Sequence, residues 1–124
     1  MGKNQIEIGK IYYIGDVLCV AEVYNEAKEV LMVRDSNGNI TFILGDFRID
    51  KSNIIYSMEQ TYSVKDIDFI RQIEAEMGAV VIAEDYPINN LITDIAKALH
   101  KKYIKIPTYL LEVVAEWYCK IKNI

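Results

Sequence analysis

Lys97, His100, Lys101 and Lys105 are the densest group of side chains in this sequence that could hold an anion. Lys97 and Lys101 stand four residues apart on one expected helical face, with His100 at its edge and Lys102 and Lys105 just beyond. Like charges at that spacing repel slightly, and an anionic ligand or an acidic partner would relieve the repulsion. A small nucleotide-like anion is therefore one reading of the cluster. The plainer reading carries more weight: Lys and His near a helix C-terminus complement the macrodipole.

Other constellations are thinner. Asp66, Asp68, Glu74, Glu76, Glu84 and Asp85 would bind a metal only if several oxygens converged within ~2–2.6 Å of one ion. Asp68 and Glu76 fall on the outward side of their helix and Arg71 can pair with Asp68, so a solvated face is expected. The single histidine, His100, excludes a multi-histidine metal site and would have to serve any Ser-His-Asp triad. G-x-S-x-G, G-x-x-x-x-G-K-[ST] and G-x-G-x-x-G are all missing. Cys19 is expected to pack inertly on a strand. Cys119 falls on the polar side of the last helix, without a partnered base to make it a nucleophile. No catalytic residue, metal or cofactor is assigned, and the expectation is a protein that is not an enzyme.

Tyrosine is in excess, at 9 of 124 residues, and Tyr12, Tyr13, Tyr24, Tyr56 and Tyr62 fall in the first half. Tyr offers large area with a polar tip and is enriched at interfaces. Tyr12, Tyr13, Tyr24 and Tyr56 are therefore the candidate interface residues. The competing explanation is that Tyr is a good strand former.

The elements that must carry these side chains fall into two halves of one expected domain, residues 1–62 and 63–124. The first half reads as five or so strands: Lys10–Ile14, Val17–Tyr24, Glu29–Arg34 and Ile40–Leu44, with Phe47–Ile49 and Asn53–Ser57 as short candidates. Gly15-Asp16 marks a turn, and Asn37-Gly38 between apolar runs predicts a type I′ hairpin. If Glu22 points outward, Val17, Cys19, Ala21 and Val23 share the inner face. Leu18 and Val20 then need a cover, for which the second half of the chain is the natural source.

In that second half Ser63 reads as an N-cap with Asp66 three places on. Ile67, Ile70, Ile73 and Met77 form the apolar stripe behind it, with Gly78 as a stop. Ala79–Ala83 is ambiguous, with an extended strand preferred. Pro87 opens a helix whose inner face is Ile88, Leu91, Ile92, Ile95, Ala96 and Leu99. Pro107 opens the last, with Leu110, Leu111, Val114, Trp117, Tyr118 and Ile121 inward. The fold class is α+β: a small antiparallel sheet or SH3-like partial barrel, then about three helices.

Ile92-Thr93-Asp94-Ile95-Ala96-Lys97-Ala98-Leu99 resembles the second helix of a helix-turn-helix over eight residues. The helix from Pro107 to Ile121 would then read DNA, but it exposes Glu112 and Glu116 where Lys, Arg, Asn or Gln are needed. Lys101–Ile106 also exceeds the usual 3–4-residue turn. The first half resembles a small SH3-like barrel in strand spacing alone.

Composition bounds the remaining choices. The chain is 52% hydrophobic with a net charge of −4, which excludes disorder and weighs against general nucleic-acid binding. Charge is uneven, at −3 over residues 1–62, −4 over 63–86 and +3 over 87–124. No apolar run reaches the ~18–20 residues of a membrane span, the N-terminus lacks a signal peptide's apolar stretch, and two cysteines suit a reducing cytosol. Isoleucine, at 20 of 124, fits an AT-rich genome such as a low-GC bacterium or its phages. The leading expectation is a non-enzymatic protein that binds a protein partner stoichiometrically, such as a phage or mobile-element accessory or inhibitor protein. An oligomeric module for a small anionic ligand comes second and a DNA-binding regulator third. A homo-oligomer is expected, because apolar residues on both sheet faces outrun the helix available to cover them.

Overall fold

The computed structural model describes residues 6–56, 61–77 and 87–123. Seven strands come first: β1 Ile11–Ile14, β2 Val17–Asn25, β3 Val30–Asp35, β4 Asn39–Leu44, β5 Phe47–Asp50, β6 Asn53–Tyr56 and β7 Thr61–Lys65. Three helices follow, α1 Asp66–Met77, α2 Ile88–His100 and α3 Thr108–Ile121. The α+β class, sheet first and helices after, is the one the sequence predicts. Two compact units divide the chain, Met1–Asp66 and Ile67–Ile124.

The sheet runs β5-β6-β1-β2-β3-β4-β7. Its pairs are antiparallel except β1 with β6, which meet in parallel at Tyr13 and Asn53. One face holds the core of the first unit: Tyr12, Cys19, Ala21, Leu31, Val33, Ile43, Phe47 and Ile54. The β3–β4 hairpin is not the type I′ turn that Asn-Gly predicts. Of its turn residues only Gly38 takes a positive φ, at 81°. The Asp35 carbonyl accepts the Gly38 N–H at 3.2 Å, and the Asp35 carboxylate accepts the Asn37 and Asn39 N–H groups at 2.8 and 3.0 Å. That carboxylate supplies acceptors at the head of the turn, which favours a longer loop closed by glycine.

Two further departures matter for the site. The β2–β3 register shifts between Ala21 and Val23, so Val23 pairs with Met32 and Tyr24 with Leu31. Glu22 is the extra residue of this bulge, and beyond it the faces exchange. Val23, expected inside, therefore turns to the opposite face, and Tyr24 packs against the core instead. Ser63, expected to cap a helix, is a residue of β7 opposite Thr41, with their hydroxyls 3.2 Å apart. Thr61, Tyr62 and Val64 are strong strand formers with β4 available to pair, and the helix starts directly at Asp66.

In the second unit α2 and α3 pack together. Leu91, Ile95, Ala96, Ala98 and Leu99 are buried on α2, whereas Ile88, expected inward, is exposed. On α1 the buried pair is Phe69 and Ile73, and Ile67 of the predicted stripe is exposed. Phe69 meets Tyr103 edge-on at 5.1 Å, and Gln72 Nε2 donates to the Ala98 carbonyl at 3.2 Å. Trp117 is fully buried on α3, and Cys119, expected on the polar side, is buried with it. Gly78, Ala79–Ala83, Glu84 and Asp85 lie outside the described residues, as does Ser57. Among the described residues no helix is long and apolar enough to cross a membrane.

Candidate functional site

Strand register builds the site. Ile11 pairs with Val20, Val20 with Arg34, Arg34 with Ile40 and Ile40 with Val64, so one row crosses five strands on the face opposite the core. Tyr13 and Leu18 pair beside it. The two parts of this face differ. Val30, Met32, Ile40 and Phe42 are fully buried. Ile11, Leu18 and Tyr13 are 55%, 48% and 42% exposed, and Ile55 of β6 is exposed on the same side.

Between the two parts lies a groove of about 430 Å³, walled by Ile11, Leu18 and Val20 and edged by Glu22, Arg34, Asp35 and Asp66. Arg34 Nε donates to Glu22 Oε1 at 3.1 Å, and its Nη1 to Asp66 Oδ2 at 3.4 Å. For the first contact, Glu22 stands two residues along β2 from Val20, the partner of Arg34, so alternation puts it on the same face, where it is buried to 7% exposure. A tight approach fixes the second. Asp66 N–H donates to the Gly38 carbonyl at 2.8 Å, and a Cβ at Gly38 would stand 2.7 Å from Asp66 Oδ1. Two carboxylates, those of Glu22 and Asp66, thus hold one guanidinium, and with Asp35 the lining residues carry three carboxylates against one cation, a formal net of −2.

Burial, with the Asp35 charge beside it, pushes the Cys19 thiol up to about 11, so at neutral pH it is protonated and a poor nucleophile. Burial opposes the charge on Asp35 as well. Hydrogen bonds from the Asn39 side chain and from the Asn39 and Asn37 N–H groups outweigh it, helped by Lys65, and hold the carboxyl below its usual range. Burial and Cys19 raise the Tyr56 phenol, which stays protonated. Among the described residues no group of three or more His, Cys, Asp or Glu is placed to hold a metal ion.

The basic residues singled out from the sequence lie in the second unit, all exposed. Lys97 and His100 stand in the last turn of α2, Lys101 follows as its cap, and Lys105 is in the connection to α3. Lys101 Nζ bonds Glu76 Oε2 at 2.7 Å. Of the four candidate tyrosines, Tyr12 is buried in the core of the first unit, its hydroxyl accepting the Glu7 N–H at 2.9 Å. Tyr24 and Tyr56 pack partly buried against that core, Tyr24 edge-on to Phe47 at 5.8 Å, while Tyr13 turns outward. Glu22, Arg34 and Asp66 lie 12 and 32 residues apart along the chain and form no motif in the sequence. Their separation in sequence hides a contact that strand register creates.

A second depression, of about 420 Å³, is lined by Ile88, Ile92, Glu116, Cys119, Lys120 and Asn123. Burial, then the Glu116 charge, raises the Cys119 thiol, and burial, then Glu112, raises the Glu116 carboxyl. The shift at Cys119 keeps its thiol protonated at neutral pH. Comparison with protein families, with curated proteins and with solved structures finds no match.

Proposed function

We propose that this is a small interaction protein, not an enzyme, which binds a protein partner stoichiometrically through the β1–β2 face. The observation that carries the reading is the contiguous exposure of Ile11, Tyr13 and Leu18, with Ile55 beside them, on adjacent strands. An exposed apolar surface on a small fold costs solubility and marks a contact surface. The reactive groups tell the same way, since both thiols are buried and protonated. A reducing, cytoplasmic setting suits two free cysteines, and an accessory or inhibitor protein of a phage or mobile element suits the size and isoleucine-rich composition.

The competing readings fare less well on charge. An anion at Lys97 and His100 would sit at the negative end of α2, and Lys101 is engaged by Glu76. A DNA duplex approaching α3 would meet Glu112 and Glu116 on its exposed ridge. The test is site-specific photocrosslinking in cells that make the protein. A photoreactive residue at position 18 should give one product of fixed mass with a second protein, and one at the exposed position 28 should give none. Equal labelling from both positions, or no product from position 18, would overturn the reading.

A further inference from the structure

We propose that the docking segment of the partner carries a lysine or arginine beside large apolar side chains, its apolar groups on Ile11, Leu18 and Val20 and its cation in the groove against Glu22 and Asp66. This deepens the reading above and rests on it. Apolar wall and charged edge form one continuous surface, because Ile11, Leu18 and Val20 line the groove that Glu22, Arg34, Asp35 and Asp66 close. The lining residues carry three carboxylates and one cation, with no lysine among them. Hydrogen bonds hold the Asp35 carboxylate charged, and the Asp66 side chain keeps 20% of its surface open while sharing Arg34 at a long 3.4 Å.

Charge then selects the occupant. An acidic segment would be repelled by the net −2 of the groove. A wholly apolar one would strip water from Arg34, Asp35 and Asp66 and return nothing for it. A second copy of this chain would bring the same acidic groove to the contact if the two faces met about a two-fold axis. A segment with a cation next to apolar groups satisfies wall and edge together, and complementary charge also speeds encounter.

The test pans a displayed random-peptide library on the immobilised full chain, then measures the retained peptides against three variants whose melting is first checked against the parent. Leu18→Asp spoils the apolar wall, Asp66→Asn removes one carboxylate, and Ser36→Lys adds a cation at an exposed lining position. The expected peptides place Lys or Arg next to Leu, Ile, Phe or Tyr and lose binding to Leu18→Asp. They weaken by about tenfold on Asp66→Asn or Ser36→Lys, and weaken as salt rises. Peptides that need Leu18 but carry no cation, and bind Ser36→Lys as tightly as the parent, would overturn the charge inference and leave the docking face standing. Peptides indifferent to Leu18→Asp would overturn both.

Discussion

Gly38 shows how much one position can carry. Its φ of +81° belongs to the left-handed region, and Asp66 Oδ1 occupies the space a side chain would need. Gly15 shares the backbone condition, at φ +60°, but has nothing within 4 Å of an added Cβ. Gly15→Ala should therefore cost only the left-handed penalty of about 1–2 kcal/mol. Gly38→Ala should cost measurably more and should also loosen the Arg34–Asp66 contact. Urea denaturation of the two variants compares them directly, and equal losses would mean that Asp66 simply moves aside. Cys19 gives a second prediction at this scale. Its folded-state pKa of about 11 lies above the ordinary 9.0, so the stability it confers is complete below about pH 9 and is lost as pH rises towards 11. Below that window a thiol reagent should label the native chain slowly and the urea-unfolded chain at once. Rapid native labelling would contradict its burial.

Among the elements, β2 and α3 show where periodicity is a reliable guide and where it stops. Alternation in β2 correctly places Cys19 and Ala21 on the core face and Glu22 opposite, then fails at Val23 because the bulge inserts one residue. Nothing local to Ala21-Glu22-Val23 announces the insertion. It is visible only in the pairing of β2 with β3. The α3 stripe is right for Leu110, Leu111, Val114, Trp117 and Tyr118 but too narrow, since Val113, Ala115 and Cys119 are buried as well. Its exposed ridge sets Glu112 and Glu116 one turn apart, and burial with that neighbour raises the Glu116 carboxyl. A raised carboxylate stabilises the fold while protonated, and that contribution is lost as pH rises through the carboxylate range. Glu116→Gln should therefore raise stability at pH 7 by about 0.2–0.5 kcal/mol, the size of a like-charge pair at this spacing, and by less near pH 4. Melting at the two pH values checks it, and a benefit that grows on acidification would reverse the sign.

For the whole molecule, charge placement matters more than the total. The net −4 masks an acidic groove in the first unit and exposed lysines at the end of α2 in the second. Two measurements follow. Inorganic phosphate or ATP at millimolar concentration should leave the melting temperature of the parent and of Lys97→Glu alike unchanged, because α2 presents its negative end there. A rise in the parent that Lys97→Glu abolishes would restore the anion site. Native mass spectrometry of the purified chain should return a single 14.3 kDa species without added mass. A multiple of that mass, reduced to one chain by Leu18→Asp, would show that copies of this protein cover the β1–β2 face and would displace the heterologous partner. The homo-oligomer expected from composition rested on apolar residues to spare on both sheet faces. Among the described residues the exposed large apolar side chains of the outer face are Ile11, Tyr13, Leu18, Ile55 and Tyr62.

Short-range preferences were enough to order the strands before the helices and to break them at Gly15 and Gly38. Those features depend on residues a few positions apart, whose conformational preferences act wherever the rest of the chain goes. The groove depends on residues that are neighbours only after pairing. Glu22, Arg34 and Asp66 meet because Val20 of β2 pairs with Arg34 of β3 and because β7 runs beside β4 and delivers Asp66 to the Gly38 turn. Register is a property of two strands at once, so a one-residue shift that no single segment encodes decided which side chains share a face.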